Sequence, residues 1–232
     1  MPKLIAERIN EPWRRRLYLP AYEVGLSARY AKIPIQTVSR WHHTTERFGP
    51  AISDRESRKP LSYLQLVEVA IVATFRHLGL PLQRIRKARE YAQQRFGFEF
   101  PFAEYEFKTD GFHLLMELDD FEQDDRISHL ILADRSGQLG WKEPMEDRFA
   151  EFDYEYDLAL KWHVAGRQST VLIDPRISFG APMVSGVPTW IVRGRWEAGE
   201  TVADMKTDFP GLTDDTINDA LRFEGKPNGV AA

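Results

Sequence analysis

A break at Leu78-Gly79-Leu80-Pro81 separates two helical patterns and decides how the N-terminal part of the chain can fold. Before the break, residues 62–77 are strongly apolar. After it, residues 82–94 repeat with the helical period and place their apolar positions on one side. A glycine behind one helix and a proline ahead of the next are typical of a helix that stops and a second that starts. We therefore predict two consecutive helices.

Upstream, the chain carries the pattern of a helix-turn-helix. Ser27 is predicted to cap a short helix, and Lys32-Ile33 to form a turn. Pro34 can occupy the first turn of the next helix, where its missing N–H costs little. The second helix is thus predicted to begin near Pro34. The residues with helical spacing that we expect to be buried are Val24, Ala28, Ala31, Ile33, Val38 and Trp41.

Charge is distributed unevenly, although the net value is only −4. Residues 1–95 hold 18 Lys and Arg against 8 Asp and Glu, a net of +10, whereas residues 96–168 hold 7 against 18, a net of −11. Residues 169–232 hold 6 against 9. We predict these three segments as domains. A basic segment beside acidic ones indicates that the first domain meets a polyanion, and the alternative is a chance excess of surface arginine.

The outward side chains of the second helix in the predicted helix-turn-helix, and the two histidines that follow it, are of types that can form hydrogen bonds, and none of them is acidic. Amides and arginine bind base edges in the major groove, and hydroxyls bind phosphates. Residues 47–59 are interpreted as a loop or β-wing beside the groove. The alternative is a helical pair that packs and binds no DNA. The candidate DNA-binding residues are Arg29, Lys32, Gln36, Thr37, Ser39, Arg40, His42, His43, Arg55, Arg58 and Lys59.

Four motifs between residues 20 and 95 resemble the winged helix-turn-helix of MerR-type regulators. They are Tyr-x-Val-Gly-Leu-Ser-Ala, Ile-Pro-x-x-Thr-Val-x-Arg-Trp, Leu-Ser-x-x-x-Leu-x-Glu and Leu-Gly-Leu-Pro-Leu-x-x-Ile-Arg. The resemblance implies a DNA-binding domain. No long coiled-coil helix follows, so the dimer geometry of that family is not carried over.

The middle segment, residues 96–168, shows period-two alternation and is predicted to be mixed, with much β-structure. Strands are predicted over residues 96–100, 103–108, 112–116, 127–133, 139–141 and 159–163, with a hairpin turn at 135–138 and a helix over 144–152. An acidic loop at 119–125 lacks the EF-hand spacing, so no metal site is predicted. The aromatic residues that could line a ligand pocket, or equally form core, are Phe96, Phe98, Phe100, Phe102, Tyr105, Phe107 and Phe112.

Several classes of function are disfavoured by what the sequence lacks. The chain has no cysteine, which excludes disulfides, thiolate zinc fingers and cysteine nucleophiles. It has no glycine-rich phosphate loop and no serine nucleophile elbow. No signal peptide or apolar run of membrane-spanning length is recognised. We therefore expect a cytoplasmic protein that is not an enzyme, with no cofactor, no catalytic residue and no membrane partner.

The C-terminal segment is predicted to contain three short helices, over residues 189–198, from Thr201 to before Pro210, and from Thr213 to 223. Thr201 and Asp204 can form a capping box, and Thr213 is a predicted N-cap. Because the third helix carries Asp214, Asp215 and Asp219, it would meet phosphates unfavourably. We therefore expect this module to contact protein, with Trp190, Ile191, Trp196 and Leu221 in its core or interface.

Residues 172–223 resemble a small helix-turn-helix family of uncharacterised function that is often found beside genes for PIN-like toxins. The matching runs are Asp-Pro-Arg-Ile-Ser-Phe-Gly-x-Pro-x-Val-x-Gly-Val-Pro, Glu-Ala-Gly-Glu-Thr-Val-Ala-Asp-Met and Leu-Thr-Asp-Asp-Thr-Ile-Asn-Asp-Ala-Leu-Arg-Phe.

Taken together, the two resemblances make the chain similar to long VapB-type antitoxins. This implies an α+β protein with a winged helix-turn-helix, a mixed middle and a C-terminal three-helix module. It implies a PIN-domain ribonuclease toxin as partner, repression of the shared operon through operator DNA, and a homodimer. An arginine often covers the acidic toxin site in such families, and the candidates are Arg193, Arg195 and Arg222. The alternative is an effector-sensing MerR-like regulator whose middle segment binds a ligand.

Overall fold

The computed structural model describes residues 12–44, 49–54, 58–104 and 144–226, apart from the side chains of residues 95 and 96. The described residues combine α-helices with two small two-stranded sheets, which confirms the predicted α+β class. They divide into two compact units. The first draws on the chain up to Ala150 and on Tyr154–Ala159, and the second on Glu151–Asp153 and the chain from Leu160 onward. The three predicted segments remain a prediction; their boundary at residue 168 falls inside the second unit.

The first unit is built from helices around one buried helix. The α-helices are α1 (Pro12–Tyr18), α2 (Val24–Tyr30), α3 (Ile35–Trp41), α4 (Tyr63–His77) and α5 (Leu82–Phe96). A 3-10 helix follows at Pro101–Ala103, and residues 144–150 are helical. Among the described residues, none of the helices combines the length and the apolar character needed to cross a bilayer.

Helix α4 forms the centre of this unit, and every residue from Tyr63 to Phe75 is buried. It packs against α1, α2, α5 and the 3-10 helix. Its start is defined by Ser62, whose side chain accepts from the Gln65 backbone N–H while the Gln65 side chain accepts from the Ser62 N–H. This capping box satisfies two backbone donors at the helix start. The break predicted at residues 78–81 is confirmed, because α5 begins at Leu82.

The two short helices predicted on either side of Lys32-Ile33 are α2 and α3, and the predicted start of the second helix near Pro34 is confirmed. The prediction that Ser27 caps the first helix is wrong. Helix α2 begins three residues earlier, at Val24, and the Ser27 hydroxyl donates to the Glu23 carbonyl inside it. Of the residues predicted to be buried, four are buried and Val24 and Ile33 are half-buried.

The turn between α2 and α3 closes around Lys32, which has a positive φ of 56°. The Ile33 N–H donates to the Ala28 carbonyl at 3.0 Å, and the Lys32 N–H donates to the Arg29 carbonyl at 3.1 Å. This pair of bonds is the Schellman arrangement, in which the left-handed residue is usually glycine because a Cβ is disfavoured there. The chain therefore places a lysine where local backbone energy favours glycine.

Replacing Lys32 by glycine is expected to raise the free energy of unfolding by about 0.5–1 kcal/mol, because glycine adopts the left-handed conformation without steric cost. Urea denaturation measures the change. The Lys32→Ala variant removes the same charge but keeps a Cβ, so it should show no gain. A glycine variant no more stable than the alanine variant would contradict this account of the turn.

The start of the middle segment departs from the prediction. The prediction of a strand over residues 96–100 is wrong, because α5 runs to Phe96 and Gly97 ends that helix with a φ of 72°. Pro101 then begins the 3-10 helix. A strand is disfavoured at this residue because proline has no N–H to donate to a neighbouring strand. Of the strand predicted over residues 103–108, Glu104 forms an antiparallel bridge with Leu158, and residues 105–108 lie outside the described residues. The other strands and turns predicted before residue 144 also lie outside them.

A hairpin of two strands, β1 (Phe152–Glu155) and β2 (Leu158–Trp162), confirms the predicted strand over residues 159–163 to within a residue at either end. Its two turn residues, Tyr156 and Asp157, have positive φ values of 54° and 62°. Such values at both central positions are typical of a type I′ turn, whose twist matches that of the strands.

The second unit contains a second hairpin followed by three helices. The hairpin pairs β3 (Met183–Val184) with β4 (Val187–Pro188) through Ser185 and Gly186, both with positive φ. This hairpin was not predicted, although Ser-Gly is a turn signal. The capping box at Thr201 and Asp204 and the N-cap at Thr213 are confirmed. The helices are α6 (Thr189–Glu197), α7 (Val202–Asp208) and α8 (Asp214–Phe223).

Candidate functional site

Helix α3 presents polar side chains on one face and packs its other face into the first unit. Val38 and Trp41 are buried, at 0% and 3% exposure. Gln36 and Arg40 are exposed, and their i, i+4 spacing places them on the same side of the helix. No titratable side chain in α3 is acidic. The arrangement can offer an amide and a guanidinium together to base edges in a major groove.

The other predicted DNA-binding residues divide by exposure. Thr37 and Ser39 are half-buried, and Arg55 lies outside the described residues. The exposed ones, besides Gln36 and Arg40, are Arg29, Lys32, His43, Arg58 and Lys59. The predicted β-wing at residues 47–59 has no named strand in its described parts, residues 49–54 and 58–59.

The outward position predicted for His42 is wrong. His42 follows the last residue of α3 and is buried, and its Nδ1 lies 2.9 Å from the Ser53 carbonyl oxygen. The chain turns inward here because the Trp41 carbonyl accepts from the Ala51 N–H at 2.8 Å. His42 therefore anchors the end of α3 to the segment at residues 51–53, and we leave it out of the polar face.

A buried polar network holds that segment in place. The Ser53 N–H donates to Glu68 Oε2 at 2.7 Å, and the Ser53 hydroxyl donates to the Glu99 carbonyl at 2.8 Å. Arg89 Nη2 donates to the Ser53 hydroxyl oxygen at 3.0 Å. Ser53 thus joins α4, α5 and the chain after α5. Because the Ser53 carbonyl also lies 2.9 Å from His42 Nδ1, the network connects the residue that follows α3 to α4 and α5.

Glu68 is the ionisable centre of this network. Its side chain is fully buried in α4, and Arg89 Nε lies 3.9 Å from its Oε1. Burial raises the pKa of Glu68, and Arg89 and the hydrogen bonds with Ser53 oppose that rise only in part. Sequence reasoning assigned no role to Glu68, although this residue ends the Leu-Ser-x-x-x-Leu-x-Glu motif. The available signal was one carboxylate inside an otherwise apolar helical run.

In the second unit, the structure pairs each predicted toxin-binding arginine with carboxylates of its own module. Arg195 binds Glu200 at 2.5 Å and also Asp208, and these carboxylates, Asp208 foremost, raise its pKa. Arg222 binds Asp219 at 2.7 Å. Arg193 lies 3.4 Å from Glu224 and 3.9 Å from Glu197. A partner's carboxylate would have to compete with these pairs.

Asp219, which we expected to repel phosphates, has a structural partner. Its Oδ2 accepts from the Thr170 N–H at 2.7 Å and from the Thr170 hydroxyl at 2.9 Å. Although burial raises the pKa of Asp219, these hydrogen bonds hold it below the ordinary value. The carboxylate therefore ties α8 to the start of the module.

Among its described residues, the second unit exposes three large apolar side chains. Phe179 is 84% exposed and Ile177 is 46% exposed, while Trp190 at the start of α6 is 57% exposed. Ser178 and Phe179 both have positive φ, 48° and 55°. This left-handed conformation costs on the order of 1–3 kcal/mol for each residue that is not glycine, because the Cβ is crowded. Strained backbone that presents an aromatic side chain to solvent is typical of binding surfaces. Leu221, in contrast, is fully buried, so it belongs to the core.

Sequence reasoning considered Trp190 for core or interface but did not identify Phe179, because neither its backbone angles nor its exposure follows from a local pattern. Within the described residues, no group of three or more His, Asp or Glu side chains is placed to hold a metal ion.

The chain is similar to known proteins over most of its length. Residues 171–223 match the family described as Protein of unknown function (DUF433). A Mycobacterium tuberculosis protein that carries the antitoxin name VapB45 is 27% identical, and the match covers 89% of this chain and 94% of that protein. The crystal structure of Rv2018 from Mycobacterium tuberculosis matches with a TM-score of 0.74 and 27% identity, over 89% of this chain and 99% of that one. The similarity therefore includes both units.

Proposed function

We propose that this chain is a DNA-binding antitoxin that neutralises a protein toxin and represses its own operon. The observation that carries the proposal is the match to VapB45, because it covers 89% of this chain and so extends over parts of both the basic segment and the C-terminal module. An antitoxin acts by binding its toxin, so the proposed role requires no enzymatic activity. Acting on operator DNA, it would work in the cytoplasm.

The DNA-binding half of the proposal rests on α2 and α3. Helix α3 supplies Gln36 and Arg40 for base edges, and Arg29 and Lys32 at the turn supply charge for phosphates. The net charge of +10 over residues 1–95 favours approach to DNA. We propose a homodimer, because helix-turn-helix proteins usually bind paired half-sites.

The toxin-binding half of the proposal rests on the second unit, and we propose a PIN-domain ribonuclease as the toxin. The three candidate arginines already have carboxylate partners, so we shift the proposed contact to the exposed segment of Ile177 and Phe179. Large apolar side chains, aromatic ones above all, dominate the binding energy of protein interfaces. Strain in the backbone at Phe179 would be offset by burying its ring against the partner.

Co-expression tests this assignment. The tagged chain is produced with the proteins encoded by its neighbouring genes, and the retained partner is assayed for ribonuclease activity. Retention of a nuclease whose activity is silenced supports the antitoxin function. Recovery of the chain alone, beside neighbours that are not toxic, would contradict it.

We expect Phe179→Asn to weaken capture of that partner by roughly 30-fold in Kd, the size of a strong interface contact. Asparagine tolerates the left-handed backbone, so the melting temperature should be unchanged or higher. Calorimetric titration measures the affinity. The matched control is Leu19→Ala, which truncates a side chain of the first unit that is 56% exposed and should leave Kd unchanged. Full affinity in Phe179→Asn would remove this segment from the interface.

A further inference from the structure

The first residue of α3, Ile35, carries an apolar side chain that is 53% exposed. It stands immediately before Gln36, on the helix whose polar face we propose meets DNA. Exposure of a large aliphatic side chain is unfavourable in water unless a partner covers it. Ile35 is not among the predicted DNA-binding residues.

The Ile35 side chain lies close to the start of α2. A Cβ added to Gly25 would lie 3.7 Å from Ile35 Cδ1, which is ordinary van der Waals distance. The tip of the isoleucine therefore lies near Gly25 of α2, while about half of its surface faces solvent. Because isoleucine is β-branched, its side chain has few χ1 rotamers to lose on binding.

We propose that Ile35 contacts the C5-methyl group of a thymine in the major groove and thereby selects A·T at one position of each half-site. The N-terminal residues of a recognition helix contact base edges, and Ile35 is the first residue of α3. The thymine methyl is the apolar feature of the major groove, and apolar side chains read it by contact. The inference rests on the DNA-binding half of the proposed function and names one base feature that this helix reads.

A thymine-to-deoxyuridine scan tests the inference, because it removes one methyl group and leaves base pairing intact. The probe is duplex DNA from immediately upstream of the chain's own gene, in which each thymine is replaced in turn. For the unmodified chain, we expect one replacement in each half-site to weaken binding by roughly fourfold, as expected for loss of one buried methyl-sized group. Ile35→Ala should lose a similar factor on unmodified DNA and should no longer respond to that replacement.

Leu19→Ala, which truncates another exposed side chain of the first unit, is the matched control and should keep the full deoxyuridine response. If Ile35→Ala retains that response, or if no replacement affects the unmodified chain, the inference is overturned while DNA binding stands. If the unmodified chain does not bind the duplex specifically, both the inference and the proposed DNA-binding function fail. A shift from dimer to monomer in Ile35→Ala, measured by sedimentation, would assign the side chain to a contact between copies instead.

Discussion

Arg40→Glu is expected to lower affinity for operator DNA by at least about 100-fold, because it removes a base or phosphate contact and adds a carboxylate where the duplex is most negative. Arg40 is exposed on α3, at the i+4 position from Gln36. The buried residues Val38 and Trp41 are unchanged, so the helix should still fold. Fluorescence anisotropy titration measures the loss, and a less steep dependence on salt should accompany it.

The matched control for net charge is Lys206→Glu in the second unit. Lys206 is an exposed cation that pairs with exposed Asp214 at 2.7 Å, and such surface pairs contribute little to stability. Lys206→Glu changes the net charge by the same two units as Arg40→Glu. It should leave DNA affinity within about threefold if α3 is the part of the chain that contacts DNA. Equal losses in both variants would point to overall charge, and unchanged affinity in Arg40→Glu would show that α3 does not read DNA.

Glu68→Ala is expected to lower the free energy of unfolding by about 3–5 kcal/mol, because it leaves the nearly buried Arg89 without its carboxylate and the Ser53 N–H without its acceptor. Guanidinium denaturation measures the change. Glu90→Ala, which removes an exposed carboxylate from α5, is the control and should change stability by less than about 0.5 kcal/mol. A similar small change in Glu68→Ala would mean that the network around Ser53 contributes little to stability.

Glu68→Gln separates the charge of this side chain from its hydrogen bonds, since the amide oxygen can still accept from Ser53. Burial raises the pKa of Glu68, so the folded state binds a proton more readily than the unfolded state, whose value is near 4.5. The glutamate's contribution to stability is therefore fully present below about 4.5 and is lost as the pH rises through the folded-state pKa. The stability advantage of the unmodified chain over Glu68→Gln should shrink over that window. An advantage that grows with pH would show that Arg89 outweighs burial.

Local chemistry accounts for the parts of the fold that could be predicted. Pro34, Pro81, Thr201 and Thr213 each act within one turn of the helix that they start, so a few neighbouring residues contain the whole signal. The same reasoning failed at residues 96–100, because period-two alternation of phenylalanines was given more weight than Gly97 as a helix end.

The candidate site could be predicted only as far as helix α3. The spacing of apolar residues around Pro34 indicates which side of the helix is buried, and so it identifies Gln36 and Arg40 as outward residues. It could not place His42, because that residue lies beyond the last helical turn, where its environment depends on Ser53, 11 residues away.

By itself, the sequence determined the α+β class, most of the helix ends, the two short helices around Lys32-Ile33 and the uneven charge, since all of these follow from residue type and short-range spacing. Only the tertiary structure decided that Glu68 and Ser53 are buried together, that Arg193 pairs with Glu224 and Arg195 with Asp208, and that Phe179 faces solvent. The physical reason is the distance along the chain between the residues that interact. The bonds of Ser53 reach 15 residues to Glu68 and 46 to Glu99, and Arg193 reaches 31 residues to Glu224. Burial and pairing at such separations depend on packing, which no local pattern encodes.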